Sequence, residues 1–568
     1  MRATVAAVFV FGVGACTGTV GSPGAGEPMG PVGGGGVPPI TGGGGPPTTN
    51  ATCDRGASLG PARVWRLTDE QYVKSVAQVF GVLVPPEVTA PATQPADFTN
   101  LSEVVSVDNR AAAAYSSMAK TAALAAVTAN LGVFLPCGAS NPSDACVESF
   151  IRQRVGRAFR RPVTDAEVTS LMALYRMGAS DDAATGIALI IEAALQSPSF
   201  LYRTEIGAGV AGGQTAAGGP TASITLSPHE VATAISFALL DSVPDDNLWK
   251  KAEDRSLLTQ AGLTGEINRL LALPEVQENL SHNAGFWLGV ERMHQTEKET
   301  SAGYFPEFTP ALKQDLYNSA RLFVRDVLTA GKVTDLLTSS RMYVNDNLAK
   351  VYGLPGGMGK DLVARDVGLP ERSAGILTQP AVLAAFSRPN RGDPIHRGLF
   401  IYNSLICGSN IPEPPAGALA IAATFPTNAT ERELANLRAT NSAGCATCHA
   451  MFDPLGLATE RYDPMGRYSA TDAKGPIDSS AVLTRLGPGL EGPISGLPDL
   501  VSKLQGSRRV SDCAATNLAE FVLGRSVIED DSCSLQEAKN QFAASGSFTD
   551  YFRALLTSPG FLTRDGQK

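Results

Sequence analysis

The chain has 568 residues, of which 55 are Asp or Glu and 46 are Lys or Arg, giving a net charge of −9 at neutral pH. With no long basic run in it, that balance argues against a nucleic-acid partner. After the first residues no stretch reaches the roughly 18 uninterrupted apolar residues of a membrane helix, and the length is ample for two to four domains.

The amino terminus reads as an export signal spanning 1–16. Met1-Arg2 is a minimal positive region, and Ala3 to Val13 is apolar but too short to cross a bilayer. Val13-Gly14-Ala15-Cys16 resembles a bacterial lipobox, in which Cys16 becomes the lipidated first residue. The alternative is an ordinary signal peptide cleaved nearby. Either version carries the chain out of the cytoplasm, to the periplasm or cell surface, and any membrane attachment is then the lipid. Residues 17–60 open with Gly, Pro, Thr and Ser and few bulky apolar groups, a composition expected to stay a disordered tether.

Beyond the tether the pattern is helical. Three capping boxes mark helix starts at Thr68/Gln71, Thr164/Glu167 and Ser227/Glu230. Apolar residues then recur at helical spacing, as in Val168, Leu171, Met172 and Tyr175, or Val231, Ile235 and Leu239. Leu312 to Leu328 and Leu518 to Leu523 behave alike, and alternating strand-like runs are scarce. The fold class expected is all-α, several helical modules with a few short hairpins. Gly207 to Gly219 reads as a linker between modules. Ser197-Pro-Ser-Phe-Leu-Tyr-Arg203 returns as Ser558-Pro-Gly-Phe-Leu-Thr-Arg564, with Gly-Arg upstream at 156–157 and 524–525. Two related modules would each end one helix at Ser-Pro, pack the Phe, and turn the Arg to a carboxylate or to solvent.

Cys445-Ala-Thr-Cys-His449 is the most specific feature of the chain. C-x-x-C-H is the haem-attachment spacing: two thiols add across the haem vinyl groups and the next imidazole ligates the iron. With nine Cys and five His in the chain, an accidental match arises in roughly one such chain per thousand. No second C-x-x-C or H-x3-H follows to complete a zinc site. The expected cofactor is one covalent haem c, held by Cys445 and Cys448 with His449 as proximal ligand. Met465, sixteen residues on, has the reach to ligate from the far side, or is an ordinary packing Met in the turn Asp463-Pro464-Met465-Gly466; Met342, Met358, His282, His294 and His396 could ligate only through the tertiary fold, and His229 reads as structural. Arg461 and Arg467 are candidate contacts for the haem propionates. Equally, Glu460, Arg461, Asp463 and Arg467 could brace a turn-rich loop, with Asp453 capping a helix.

Removing Cys16, Cys445 and Cys448 leaves Cys53, Cys137, Cys146, Cys407, Cys513 and Cys533. An even number outside the cytoplasm suggests three disulfides. Short separations favour Cys137–Cys146 and Cys513–Cys533, leaving Cys53–Cys407.

Several stretches resemble successive modules of one multidomain bacterial family, named for domains of unknown function DUF1587, DUF1595, DUF1592, DUF1588 and DUF1585. They are Arg63-Val-Trp-Arg-Leu-Thr68 to Gly81, Phe159-Arg-Arg-Pro-Val-Thr164, and Leu226 to Met293. The fullest match is Gly375-Ile-Leu-Thr-Gln379, Arg397-Gly398, Cys407, Pro412 to Pro415, the C-x-x-C-H, then Asp453-Pro-Leu-Gly456, Glu460, Asp463 and Gly466-Arg467. The resemblance divides the chain at 61–135, 136–206, 221–355, 370–475 (with the haem segment) and 495–568. It implies export and a cytochrome-like haem c, as in chains abundant in planctomycetes and myxobacteria, and implies no substrate. This chain has no His just before Cys445, and Phe452 stands where relatives tend to have Met.

Three functions follow as expectations. The first is extracytoplasmic electron transfer with a redox partner protein. The second is a haem-dependent oxidoreductase acting on an alcohol, sugar or polymer-derived substrate. The third is a non-redox surface-binding lipoprotein in which Cys445 and Cys448 form a disulfide. No G-x-S-x-G, H-E-x-x-H, Walker A or dinucleotide fingerprint supports other chemistry.

Overall fold

The computed structural model describes residues 60–565, except 86–108, 208–222, 302, 367–368, 409–410, 412–423, 442 and 529–530. The export signal with Cys16, the tether up to residue 59 and the linker after Gly207 therefore lie outside the described residues. The fold is mostly helical, with short two-stranded antiparallel pairs as its only sheets among the described residues. None of the described helices is long and apolar enough to cross a membrane.

All three capping boxes form with both reciprocal bonds, starting helices Asp69–Phe80, Asp165–Gly178 and Pro228–Leu239. Each satisfies two orphan amides locally, so tertiary packing has little to override. The buried side chains fall into two hydrophobic cores. One unites 61–135 with 136–206, from Leu67 through Phe80, Tyr115 and Ile187 to Phe200. The other runs from Leu226 to Phe561 and fuses the segments 221–355, 370–475 and 495–568. The long helix Pro310–Ala330, buried through Leu316, Ala320, Phe323 and Val327, is part of this second core.

The internal repeat is visible as structure. Ser197 and Ser558 each cap a short helical turn, Phe200 and Phe561 are fully buried, and each copy leaves the turn as a strand. Tyr202–Glu205 pairs with Arg63–Arg66, while Thr563–Asp565 pairs with Ser223–Thr225. Pro61 also bridges Asp565, so the first described residues join both copies. The predicted carboxylate is Glu205. It accepts Arg564 Nε at 2.7 Å and Arg63 Nε at 3.2 Å, and its pKa is held far below the usual range against the pull of burial. The Arg63 and Arg203 guanidiniums stand 3.8 and 4.3 Å from the centre of the Trp65 ring.

The disulfide pattern corrects two of the expected pairings. Cys137 joins Cys146, but Cys407 joins Cys513 with a Cα–Cα distance of 5.3 Å, so neither Cys53–Cys407 nor Cys513–Cys533 forms. Cys407 follows the π-helical turn Ile401–Leu405, which packs on helix Arg509–Leu523. A fold in which these elements touch brings together cysteines 106 residues apart, a separation that sequence distance alone disfavours. Cys53 and the side chain of Cys533 lie outside the described residues.

Candidate functional site

Cys445, Cys448 and His449 sit on one helix, Ala443–Leu457. Positions i, i+3 and i+4 share a helix face, so both thiols and the imidazole rise on the same side. Cys445 and Cys448 are half-buried, Cys448 at the rim of the second core. Cys448 is a free thiol, and the Cys445–Cys448 disulfide of the non-redox alternative is not formed. The His449 side chain is 20% exposed and meets the Phe452 ring edge-on, with centroids 4.9 Å apart.

Two neighbours fix where this helix lies. Helix Pro394–Phe400 crosses it with backbone against backbone: a Cβ on Gly398 would stand 1.9 Å from Phe452 O, and one on Gly456 1.8 Å from Pro394 O. Only two glycines permit that approach. Arg397, next to Gly398, is 3% exposed and donates to Thr459 O, Tyr462 O and Asp463 O at 3.0, 2.8 and 2.9 Å. Its guanidinium thus clamps the loop leaving the motif helix, which gives the Arg397-Gly398 pair a joint role in positioning the site. Asp393 caps helix Pro394–Phe400 and Arg391 pairs with Glu431, so the run Arg391-Gly392-Asp393 is tied into the fold.

The second neighbour is helix Glu431–Asn441, whose start is secured by reciprocal bonds between Thr430 and Glu433. It delivers Arg438, whose Nε donates to Asp453 Oδ2 at 2.8 Å. The other oxygen, Asp453 Oδ1, is 2.9 Å from His449 Nδ1. Asp453 is therefore not a helix cap, as the Asp-Pro pair suggested. It lies inside the motif helix, four residues after His449 and directly over it. Pro454 also stays inside the helix, although proline removes one amide and disfavours helical dihedrals before it. The carbonyl left without that amide, Ala450 O, accepts from Thr484 Oγ1 at 3.3 Å. From the same segment Arg485 reaches Thr447 O at 3.4 Å.

Other predicted site residues are placed as follows. Met465 is fully buried in the second core. Arg467 is engaged by Asp463 at 2.6 Å and Glu307 at 2.7 Å, and Arg461 lies 3.5 Å from the Tyr468 hydroxyl. Met342 is fully buried against Gln379, and Met358 packs at the edge of the second core. His282 and His294 both face Glu291 at 3.4 Å, His396 pairs with Asp393 at 2.7 Å, and His229 packs edge-on against Trp249. Glu460 follows the motif helix, and burial pushes its carboxyl up to about 7, with Glu431 adding and Arg397 opposing.

Sequence reasoning missed Arg438 and Arg485, and misread Asp453. The i, i+4 spacing of His449 and Asp453 was the available signal; the two arginines arrive through tertiary packing and leave no local trace. Among the described residues no group of three or more His, Cys, Asp or Glu could hold a metal ion by side chains alone. The face offers two thiols and one imidazole.

Four families of proteins of unknown function match in sequence: DUF1595 over 146–205, DUF1592 over 226–354, DUF1588 over 373–472 and DUF1585 over 492–561. The motif helix and both of its neighbours lie within the DUF1588 match, the family also designated PSCyt3. No curated protein and no solved structure matches. All four matches are to cytochrome-associated domains, and in their order along the chain they identify it: the protein belongs to the multidomain family that joins DUF1595, DUF1592, DUF1588 and DUF1585.

Proposed function

We propose that this chain is an exported, lipid-anchored c-type haem protein that passes electrons to and from a redox partner protein outside the cytoplasm. The observation that carries the reading is one helix face bearing Cys445, Cys448 and His449, with His449 Nδ1 already held by Asp453. Each thiol would add across one vinyl group, sulfur to one carbon and hydrogen to the other, with no net oxidation. Once attached, the haem supplies a one-electron iron couple. The chain's own residues do the rest. Asp453 keeps the imidazole oriented with Nε2 directed away from the pair, Gly398 and Gly456 seat the helix on the core, and Arg397 braces the loop beyond it. Arg438 Nη2 is buried and has no hydrogen-bond partner among the described residues. Met465 is the proposed distal ligand, Cys16 the lipidated residue, and Arg461 with Arg485 the propionate contacts.

The second reading is a haem-dependent oxidoreductase acting on an alcohol, sugar or polymer-derived substrate. The carboxylate behind His449 is on its side, because it makes the imidazole a stronger donor to iron. Spectroscopy of the oxidised, haem-loaded chain separates the two. A low-spin spectrum with a band at about 695 nm, lost in Met465→Ala, supports the relay. A high-spin iron that takes cyanide readily refutes the relay and supports the enzyme.

A further inference from the structure

We infer that Asp453 is the positioning residue of the axial imidazole, and that Arg438 sets how much negative charge Asp453 lends to it. The inference rests on the haem reading and adds to it what tunes the iron.

Asp453 and Arg438 are buried, 4% and 8% exposed, while His449 reaches the surface. One carboxylate oxygen holds His449 Nδ1 at 2.9 Å and the other holds Arg438 Nε at 2.8 Å. An acceptor on Nδ1 settles the tautomer: the proton stays on Nδ1, and the Nε2 lone pair is free to ligate. A backbone carbonyl would do that much. A carboxylate does more, because its charge raises the basicity of the ring and favours ferric over ferrous iron. Arg438 draws part of that charge back. Removing Arg438 should therefore deepen the effect, and neutralising Asp453 should abolish it. The arrangement is costly, since Asp453 keeps helical backbone before a proline. A residue needed only for solubility or capping would have no reason to stand there.

The test is a redox titration of the full chain matured with haem c, alongside Asp453→Asn and Arg438→Gln. Asn keeps one oxygen for the Nδ1 proton, removes the charge, and places an NH2 in place of the oxygen that accepts from Arg438. The first readout is covalent haem in the unaltered chain; its absence would overturn the haem reading itself. With haem attached, Asp453→Asn should shift the ferric/ferrous equilibrium toward ferrous by about tenfold, ~59 mV upward for one electron. Arg438→Gln should shift it downward. The iron–imidazole stretch of the ferrous CO photoproduct should fall in Asp453→Asn and rise in Arg438→Gln, a signature that a purely structural role would not move. Unchanged potential and stretch in both variants would overturn the inference while leaving the haem in place. If Asp453→Asn fails to mature, Arg438→Gln decides: a downward shift supports the inference, and no shift or an upward one overturns it.

Discussion

Gly456→Ala sets two known effects against each other at the point where the motif helix meets the core. Gly456 lies within helix Ala443–Leu457 and its φ is outside the left-handed region, so alanine suits the backbone. Helix propensity alone then favours alanine by about 1 kcal/mol. Against this, the new Cβ would stand 1.8 Å from Pro394 O and 2.5 Å from Pro394 C, atoms that cannot rotate away. Restoring an ordinary carbon–oxygen contact of about 3.4 Å separates the two helices by about 1.5 Å. A gap of that size forfeits more than half of the dispersion energy across the crossing. Overpacking of this kind typically costs about 1–3 kcal/mol, and more where backbone must move. Because both clashing atoms are backbone the cost sits at the upper end, and less the propensity gain the net expectation is a loss of about 2 kcal/mol. Gly265→Ala is the control: it is also helical, nothing lies within 4 Å of its added Cβ, and it should gain up to about 1 kcal/mol. The assay is the guanidinium unfolding midpoint at constant slope, with haem content per chain measured on the same samples. Gly456→Ala at or above the stability of the unaltered chain would refute the crossing.

Three further outcomes follow from the same structure. Peptide mapping without reductant should find Cys407 linked to Cys513, and Cys513→Ser should lose about 2–5 kcal/mol of stability; a Cys513–Cys533 peptide would contradict this. Glu460 holds its proton to about 7 in the fold against an ordinary 4.5. Across that window the folded chain binds a proton the unfolded chain has released, so stability falls as pH rises and the loss is complete above the window. Glu460→Gln should therefore stabilise the chain at pH 8, by at most about 3 kcal/mol, and leave it unchanged below pH 4.5; an equal effect at both ends would refute the burial argument. Glu205→Gln leaves the buried Arg564 and Arg203 and the nearby Arg63 without their carboxylate, and denaturant melts should show a loss of about 3–5 kcal/mol.

What the sequence revealed was local. Thr68/Gln71, Thr164/Glu167 and Ser227/Glu230 formed helix starts because both partners lie within one turn. The Ser-Pro-x-Phe repeats formed matching turns for the same reason. Five segments distinguished by sequence nevertheless fold around two cores, since burial depends on which faces meet and not on where motifs begin. Cys407 found Cys513 because a π-helical turn packs on a distant helix. Asp453 was misread because Asp-Pro ordinarily ends helices; here the ion pairs and Thr484 offset that preference. Within the site, the motif itself was legible, and the residues that hold and tune it were mostly not.

The central claim is that Cys445, Cys448 and His449 hold one haem c. Its most direct test is the reduced pyridine haemochrome spectrum and intact mass of the full chain expressed with haem c maturation, beside Cys448→Ala. The account predicts a c-type spectrum and the mass of one covalently retained haem, lost or sharply reduced in the variant. A chain that emerges from competent maturation without covalent haem, or whose haem is unaffected by Cys448→Ala, would contradict it.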